Sequence, residues 1–98
     1  MKNFPFSRLQ VEGSSMLPTF SSKQYLISFN WAYFFNVPKE GEVVVFKKSE
    51  RLMVKRISKT KDGKLFLMGD NPSQSTDSRQ FGWVEKKQLV GRVIFKYN

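Results

Sequence analysis

Short runs of β-branched and aromatic residues recur along the chain, and residues that favour turns separate them. The strongest run is residues 42–47 (EVVVFK), which follow a turn at residues 38–41. Four further strands are predicted at residues 25–29, 51–58, 65–68 and 90–97. Residues 61–64 (KDGK) are typical of a hairpin turn between two of these strands. The pattern therefore predicts a mostly β fold.

Helical patterning is confined to two short places, a turn at residues 15–20 and a segment at residues 85–89. Residues 69–78 are predicted to form a polar loop, and Gly91 marks a candidate β-bulge in the last strand. No internal repeat or linker interrupts the chain, and 98 residues correspond to one domain. We therefore expect a single small domain over residues 1–98, with its core at about residues 11–95 and a Greek-key or barrel-like arrangement.

Composition narrows the chemistry that the chain could perform. Cysteine and histidine are both absent, which excludes disulfides, zinc–thiolate sites, cysteine nucleophiles and every Ser-His-Asp arrangement. An enzyme with this composition needs Lys, Asp, Glu, Tyr or a terminal amine as its base. We expect no metal and no cofactor, and the sequence carries no indication of an oligomeric state.

The chain is strongly basic, with 17 Lys and Arg against 8 Asp and Glu and a net charge of +9. Many of these cations fall within residues 47–64, and a charge run of this kind is usually a solvated face. Because no DNA-binding helix pair, zinc site or RNA-binding sheet motif accompanies them, no nucleic-acid partner is expected. A non-enzymatic basic β-barrel that binds RNA or single-stranded DNA is kept as an alternative.

The most apolar segment is residues 25–37 (YLISFNWAYFFNV). It is shorter than the roughly 20 apolar residues that a membrane span requires. It fits a buried strand with its following loop, or an aromatic surface that contacts lipid head groups or a hydrophobic substrate. The chain start shows no secretory signal, so a cytoplasmic location is expected, with peripheral membrane contact as the alternative.

Ser15 lies in the segment VEGSSMLPT, where Gly13 permits a sharp turn and Pro18 restricts the backbone. A serine on such a corner can present its hydroxyl and its own backbone N–H to the same point. Acyl transfer needs this combination of nucleophile and oxyanion donor. Gly-Ser clusters are also common in ordinary turns, so this segment alone is a weak indication.

Lys55 lies in a predicted strand, where it shares a face with Met53 and Ile57 while Val54 and Arg56 point the other way. An ammonium among apolar side chains is desolvated, which lowers its pKa. A lysine that is neutral near pH 7 can accept a serine proton in place of the missing histidine. A surface lysine with its stem along apolar residues is the alternative.

Residues 68–84 (MGDNPSQSTDSRQFGWV) form a third notable segment, with Asp70, Asp77 and Arg79 closely spaced. Alone it could be a cluster of Asx turns. Together the three segments resemble type I signal peptidases and their soluble relatives, which use a Ser-Lys dyad. The resemblance runs from about residue 11 to residue 95. The matching stretches are residues 13–19, 41–46, 55–57, 69–71, 75–79, 81–82 and 89–92.

The resemblance implies a role for each matched residue. Ser15 would be the nucleophile, Lys55 the general base and Ser75 the residue that orients the lysine amine. It also implies two charged pairs that hold the site together, Asp77 with Arg79 and Asp70 with Arg56. The fold it implies is a small β-barrel-type catalytic domain like that of signal peptidases and LexA.

The resemblance also implies how substrate would bind, as an extended peptide with small residues at the first and third positions before the cut. Met16, Leu17 and Met53 are expected to line the pocket. Members of the family often carry a second serine two positions before the nucleophile, where this chain has Gly13. Ser14 is one residue out of register, so the oxyanion would be held by the N–H of Ser15 and another group.

Two departures narrow the resemblance. Only ten residues precede Val11, so no N-terminal anchor is expected, and only thirteen residues separate Lys55 from Gly69, which leaves no second β-domain. The chain thus resembles a small soluble branch, the nickel-type superoxide dismutase maturation proteases. The expected function is removal of an N-terminal leader from a precursor protein, with nickel superoxide dismutase as the candidate. A membrane-associated signal peptidase is the enzymatic alternative, and a LexA-like repressor domain is disfavoured because no DNA-binding helices fit before Val11.

Overall fold

The fold is built on a sheet in which all paired strands are antiparallel. Its spatial order differs from the chain order, because the last strand lies between the second and the third. The computed structural model describes residues 3–98. Within this range the sheet has the order β1-β2-β7-β3-β4-β5-β6. Its strands are β1 (Phe6–Gln10), β2 (Tyr25–Phe29), β3 (Val43–Lys48), β4 (Arg51–Lys61), β5 (Lys64–Met68), β6 (Val84–Glu85) and β7 (Leu89–Tyr97). The helices are short: α1 (Ala32–Phe35), α2 (Ser78–Phe81) and two 3-10 turns at Pro72–Gln74 and Lys86–Gln88. The mostly β prediction is confirmed, although the sheet stays open between β1 and β6 in the part of the chain described.

Strand β3 is central to the packing because it is buried on both faces. Val43, Val44, Val45 and Phe46 are all buried, which explains a continuous apolar run instead of an alternating one. One core cluster lies on the face of Val44 and contains Val44, Phe46, Ile57, Leu65, Leu67, Val84 and Leu89. A second cluster contains Val11, Met16, Phe20, Leu26 and Val43. The loop between β1 and β2 therefore packs its apolar residues directly onto the sheet.

Strand β4 is longer than either of its neighbours, β3 and β5. It pairs with β3 from Arg51 to Arg56, but its pairing with β5 begins only at Arg56, opposite Met68. Residues 51–55 therefore have a strand partner on the β3 side and an open edge on the other. Lys55 lies opposite Val44 within this half-paired part of the strand.

Several elements differ from the sequence-based expectation. Strand β1 was not predicted, because FSRLQ has two charged or amide residues and little apolar patterning. Residues 15–20 form turns and no helix, while residues 69–78 contain a 3-10 turn and the start of α2. Strand β7 has one register shift at Val90, beside Gly91, and a second at Ile94. A Cβ at Gly91 would lie 2.3 Å from the Ser28 hydroxyl oxygen, so this glycine permits the close approach of β2 and β7.

Within residues 3–98, none of the helices has the length and apolar character needed to cross a bilayer.

Candidate active site

Ser15 lies in the loop after β1, and hydrogen bonds from the loop after β5 hold it in place. Gly13 has φ +81°, the left-handed conformation that allows the chain to turn just before the serine. The backbone N–H of Asn71 donates to the carbonyl of Ser15 at 2.8 Å, and its side-chain amide donates to the carbonyl of Ser14 at 3.0 Å. The position of Ser15 is therefore set by contacts about 56 residues away in sequence.

The amine of Lys55 lies between two serine hydroxyls. Its Nζ is 2.9 Å from Ser15 Oγ and 3.1 Å from Ser75 Oγ, and only 3% of the residue is exposed. Burial lowers the pKa of the Lys55 ammonium below its usual value. The negative charge of Asp77 opposes this shift, and the positive charge of Arg79 adds to it. A buried, hydrogen-bonded lysine with a lowered pKa can act as a proton acceptor at a lower pH than an exposed lysine.

Asp77 lies behind Ser75 and is fully buried. The Ser75 hydroxyl donates to Asp77 Oδ2 at 2.7 Å, and the backbone N–H of Gly69 donates to the same oxygen at 2.9 Å. Arg79 completes the arrangement with Nε 2.9 Å from Oδ1. Burial raises the pKa of the Asp77 carboxyl, but the hydrogen bonds from Arg79, Gly69 and Ser75 outweigh it, so the pKa is well below its usual value. Asp77 is therefore an anion that fixes the direction of the Ser75 hydroxyl.

Gly69 lies in one of the stretches that resemble signal peptidases, but the sequence did not suggest a role for it in the site. A Cβ on this residue would lie 2.3 Å from Ser75 Oγ and 2.6 Å from the Ser15 carbonyl oxygen. The two serines can approach Lys55 only because the backbone between them carries no side chain at this point. The signal was a glycine directly after a buried strand, where a close backbone approach is a common reason for its presence.

The second predicted pair, Arg56 with Asp70, lies next to the dyad. Arg56 Nε and Nη2 donate to the two carboxylate oxygens of Asp70 at 2.9 and 2.8 Å, and Nη1 donates to the carbonyl of Gly41 at 2.7 Å. Thr19, a residue that sequence reasoning missed, also donates its hydroxyl to Asp70. The hydrogen bond from Arg56 is the main reason that the pKa of Asp70 is lowered. Through the contacts with Gly41 and Thr19, this bidentate pair joins four segments around the site.

A groove of about 580 Å³ opens onto Ser15 and Lys55. Met53 and the buried Met16, two residues expected in the substrate pocket, line this groove, and so does the ring of Phe81, which was not expected there. Leu17 was expected in the pocket but lies outside the groove lining, with 37% of its surface exposed, because the turn after Met16 directs it away. Residues 9–12 also line the groove; they are the last two residues of the unpredicted strand β1 and the two that follow it.

Gly13 and Ser14 are not among the residues that line this groove. Each acts instead on the backbone of the Ser15 corner, Gly13 by its positive φ and Ser14 through its carbonyl, which accepts hydrogen bonds from Leu17 and Asn71. Across residues 3–98, no three His, Cys, Asp or Glu side chains are grouped so that they could hold a metal ion.

Comparison with known proteins identifies this arrangement. The family model described as "Signal peptidase, peptidase S26" matches residues 1–60 and 57–98. The chain belongs to the signal peptidase family, S26. It is therefore a serine endopeptidase, and the non-enzymatic nucleic-acid-binding barrel is set aside. The two matched segments overlap at residues 57–60, near the end of β4.

Sequence similarity to individual proteins supports the same family assignment. The chain is 27% identical over 149 aligned positions to "Signal peptidase I" of Bacillus caldolyticus, an alignment that covers 99% of this chain and 82% of that protein. It is 25% identical over 134 positions to "Probable thylakoidal processing peptidase 2, chloroplastic" of Arabidopsis thaliana, covering 89% of the chain and 36% of the relative. A "Signal peptidase IB" of Staphylococcus aureus is 46% identical over 35 positions, or 36% of the chain and 18% of that protein. The chain thus spans much less than half of the last two relatives.

Removing the charge of Asp77 tests whether this buried carboxylate holds the site. We expect Asp77→Asn to lower the free energy of unfolding by about 3 kcal/mol at pH 7, because Arg79 loses its ion pair and the Gly69 N–H faces a poorer acceptor. Urea denaturation of the two proteins measures this difference. Asp62→Asn, in an exposed hairpin turn, is the matched control and should change stability little.

The difference should also depend on pH in a defined direction. Since the folded-state pKa of Asp77 is below its unfolded value, its contribution is complete above about pH 4 and is lost as the pH falls toward the folded-state pKa. The gap between wild type and Asp77→Asn should therefore shrink in acid. A gap that stays constant from pH 7 to pH 2.5 would contradict an ionised Asp77.

Proposed function

We propose that this chain removes an N-terminal leader from a precursor protein, with Ser15 as nucleophile and Lys55 as general base. The observation that carries the proposal is the 2.9 Å contact between Lys55 Nζ and Ser15 Oγ at a buried amine whose pKa is lowered. Family membership supports the reaction class, and the relatives include a signal peptidase and a probable thylakoidal processing peptidase.

The proposed reaction proceeds through an acyl-enzyme. Neutral Lys55 takes the proton of the Ser15 hydroxyl as Oγ forms a bond to the scissile carbonyl carbon. The resulting ammonium then gives that proton to the leaving amine as the C–N bond breaks. Lys55 next removes a proton from water, which attacks the acyl-enzyme and releases the leader with a new carboxylate, while the proton returns to Ser15. The backbone N–H of Ser15 supplies one oxyanion donor.

Ser75 acts in this proposal as the residue that orients the lysine. Its hydroxyl hydrogen is committed to Asp77, so its lone pairs face Lys55 and accept one of the amine hydrogens. This leaves the lone pair of a neutral amine free to face Ser15. Because Asp77 is itself held by Arg79 and by the backbone, the lysine is oriented without direct contact with a carboxylate.

The open edge of β4 offers a binding place for the leader. Ile57 exchanges backbone hydrogen bonds with the turn before β3, so the alternation of an antiparallel ladder turns the backbone groups of Leu52 and Val54 to the unpaired side. An extended peptide can add there as a strand. The adjoining wall of Met16 and Met53 is apolar, and such a pocket selects by size at about 1–3 kcal/mol per methylene. We therefore propose cleavage after Ala, Gly or Ser.

The finer assignment is a cytoplasmic maturation protease for nickel superoxide dismutase. It rests on the resemblance of residues 69–72 and 75–82 to that small branch of the family.

The dyad is tested by incubating the protein with a candidate precursor and measuring the mass of the new N-terminus. We expect Ser15→Ala and Lys55→Met each to reduce cleavage by on the order of 10⁴-fold or more. The double variant should be no worse than either single one, because members of a catalytic unit are not additive. Lys61→Met, an exposed lysine on the same strand, should cleave like wild type. Substantial cleavage by Lys55→Met would exclude the dyad.

A second candidate, membrane-associated leader peptidase, is favoured by one surface. Residues 25–29 form the partly buried strand β2, whereas Phe34, Phe35 and Val37 beyond it are 57%, 84% and 71% exposed. Aromatic residues exposed together in this way mark interaction surfaces. Lys39, Lys86 and Lys87 lie beside the same segment, which suits an anionic lipid surface.

Co-sedimentation with phospholipid vesicles tests this second candidate. If the surface binds lipid, the protein should pellet with anionic vesicles, less with zwitterionic ones, and Phe35→Ser should reduce the bound fraction severalfold. Trp83→Ser, which removes an exposed aromatic residue next to β6 at the far edge of the sheet, is the control. Equal binding by Phe35→Ser and wild type would exclude this surface.

A further inference from the structure

Two cations close the β3–β4 hairpin at the end of the active-site groove. Lys48 lies directly opposite Arg51 in the ladder, and only Ser49 and Glu50 connect them. Like charges placed directly across a strand pair destabilise it. Ser49 and Glu50 also have φ of 51° and 67°, a left-handed pair of residues that usually requires Asn or Gly. The chain thus tolerates two unfavourable local features to hold these cations together.

These cations lie on the same face of the sheet as the catalytic lysine. Since side chains on a strand alternate, Arg51, Met53 and Lys55 project from one face of β4. All three line the groove, and so does Lys48. At about 3.3 Å per residue, Arg51 is about 13 Å along the strand from Lys55. The groove therefore leads from the dyad, over an apolar residue, to a pair of positive charges.

Two acidic side chains, one in the groove and one in the hairpin turn, form ion pairs with other lysines. Glu12, which also lines the groove, pairs with Lys23 at 3.3 Å. Glu50, in the hairpin turn, pairs with Lys47 at 3.4 Å. Lys48 instead has its Nζ 4.9 Å from the centre of the Phe81 ring. In the described part of the chain, neither Lys48 nor Arg51 forms an ion pair with a carboxylate.

We propose that Lys48 and Arg51 form a subsite for a carboxylate side chain of the leader, about four residues before the cleaved bond. This inference rests on the proposed function, in which the leader extends along the open edge of β4. A peptide in that position advances by about the same distance per residue as β4 itself. When the scissile bond lies at Ser15, the peptide residue four positions before that bond therefore lies beside Arg51. A carboxylate on that residue can contact the guanidinium of Arg51 and the ammonium of Lys48 together.

The test uses leader peptides that carry Glu, Gln or Lys at the third, fourth or fifth position before the cut. We expect wild type to cleave the Gln peptide, and to give a kcat/KM about tenfold higher for Glu than for Lys at the favoured position. The double variant K48E/R51E should reverse this order. Added salt should reduce the wild-type preference, because the cations are near the surface.

The chain provides a matched control for the charge change. Lys61 and Lys64 also face each other at the end of a hairpin, but they lie outside the groove lining. K61E/K64E makes the same change in net charge and should keep the wild-type preference for Glu. If K48E/R51E does not fold, as judged by circular dichroism, K48Q/R51Q should cleave the Glu and Lys peptides at similar rates.

The outcomes separate the subsite from the peptidase itself. Wild-type cleavage of the Gln peptide with equal rates for Glu and Lys at all three positions overturns the subsite and leaves the peptidase intact. A preference that K61E/K64E alters as strongly as K48E/R51E also overturns it, because bulk charge then explains the selectivity. Absence of cleavage of every peptide removes the proposed function, and the subsite with it.

Discussion

A buried amine requires hydrogen-bond acceptors, and the fold supplies them to Lys55 from two loops that are distant in sequence. Ser15 comes from the loop after β1, and Ser75 comes from the loop after β5. Without both hydroxyls, the ammonium would be buried and unsatisfied, which is among the costliest situations in a protein interior. The same burial lowers the pKa of the lysine, so one constraint serves both stability and the proposed chemistry.

The remaining polar network can be understood as the means of bringing those loops to β4. Asp77 accepts hydrogen bonds from the Ser75 hydroxyl and the Gly69 backbone N–H, while Asp70 accepts hydrogen bonds from Arg56 on β4. Gly69 contributes by having no side chain, because any Cβ there would overlap both the Ser75 hydroxyl and the Ser15 carbonyl. The site is therefore assembled by a buried carboxylate and a close backbone contact, beside a part of β4 whose outer edge is unpaired.

Sequence reasoning recovered the elements whose patterning is local. Residues 25–29 and 42–47 matched β2 and β3 closely, because β-branched and aromatic runs between turns are characteristic of strands. Strand β1 was missed, since its stability comes from pairing with β2 and not from its own composition. Leu17 was expected in the pocket and lies outside the groove lining, because the tertiary course of the loop determines which side chains face the groove. The family was confirmed, whereas the nickel superoxide dismutase branch and the roles of the site residues stay predictions.

The most direct test of this account is the pKa of Lys55, measured by NMR titration of isotopically labelled lysine side chains, with Lys55→Met used to assign the signal. We expect a pKa clearly below the ~10.4 of free lysine. The rise of kcat/KM with pH should follow the same Lys55 titration, since the base must be neutral to accept the serine proton. A Lys55 pKa at or above the value of free lysine would contradict the proposed role of this residue as general base.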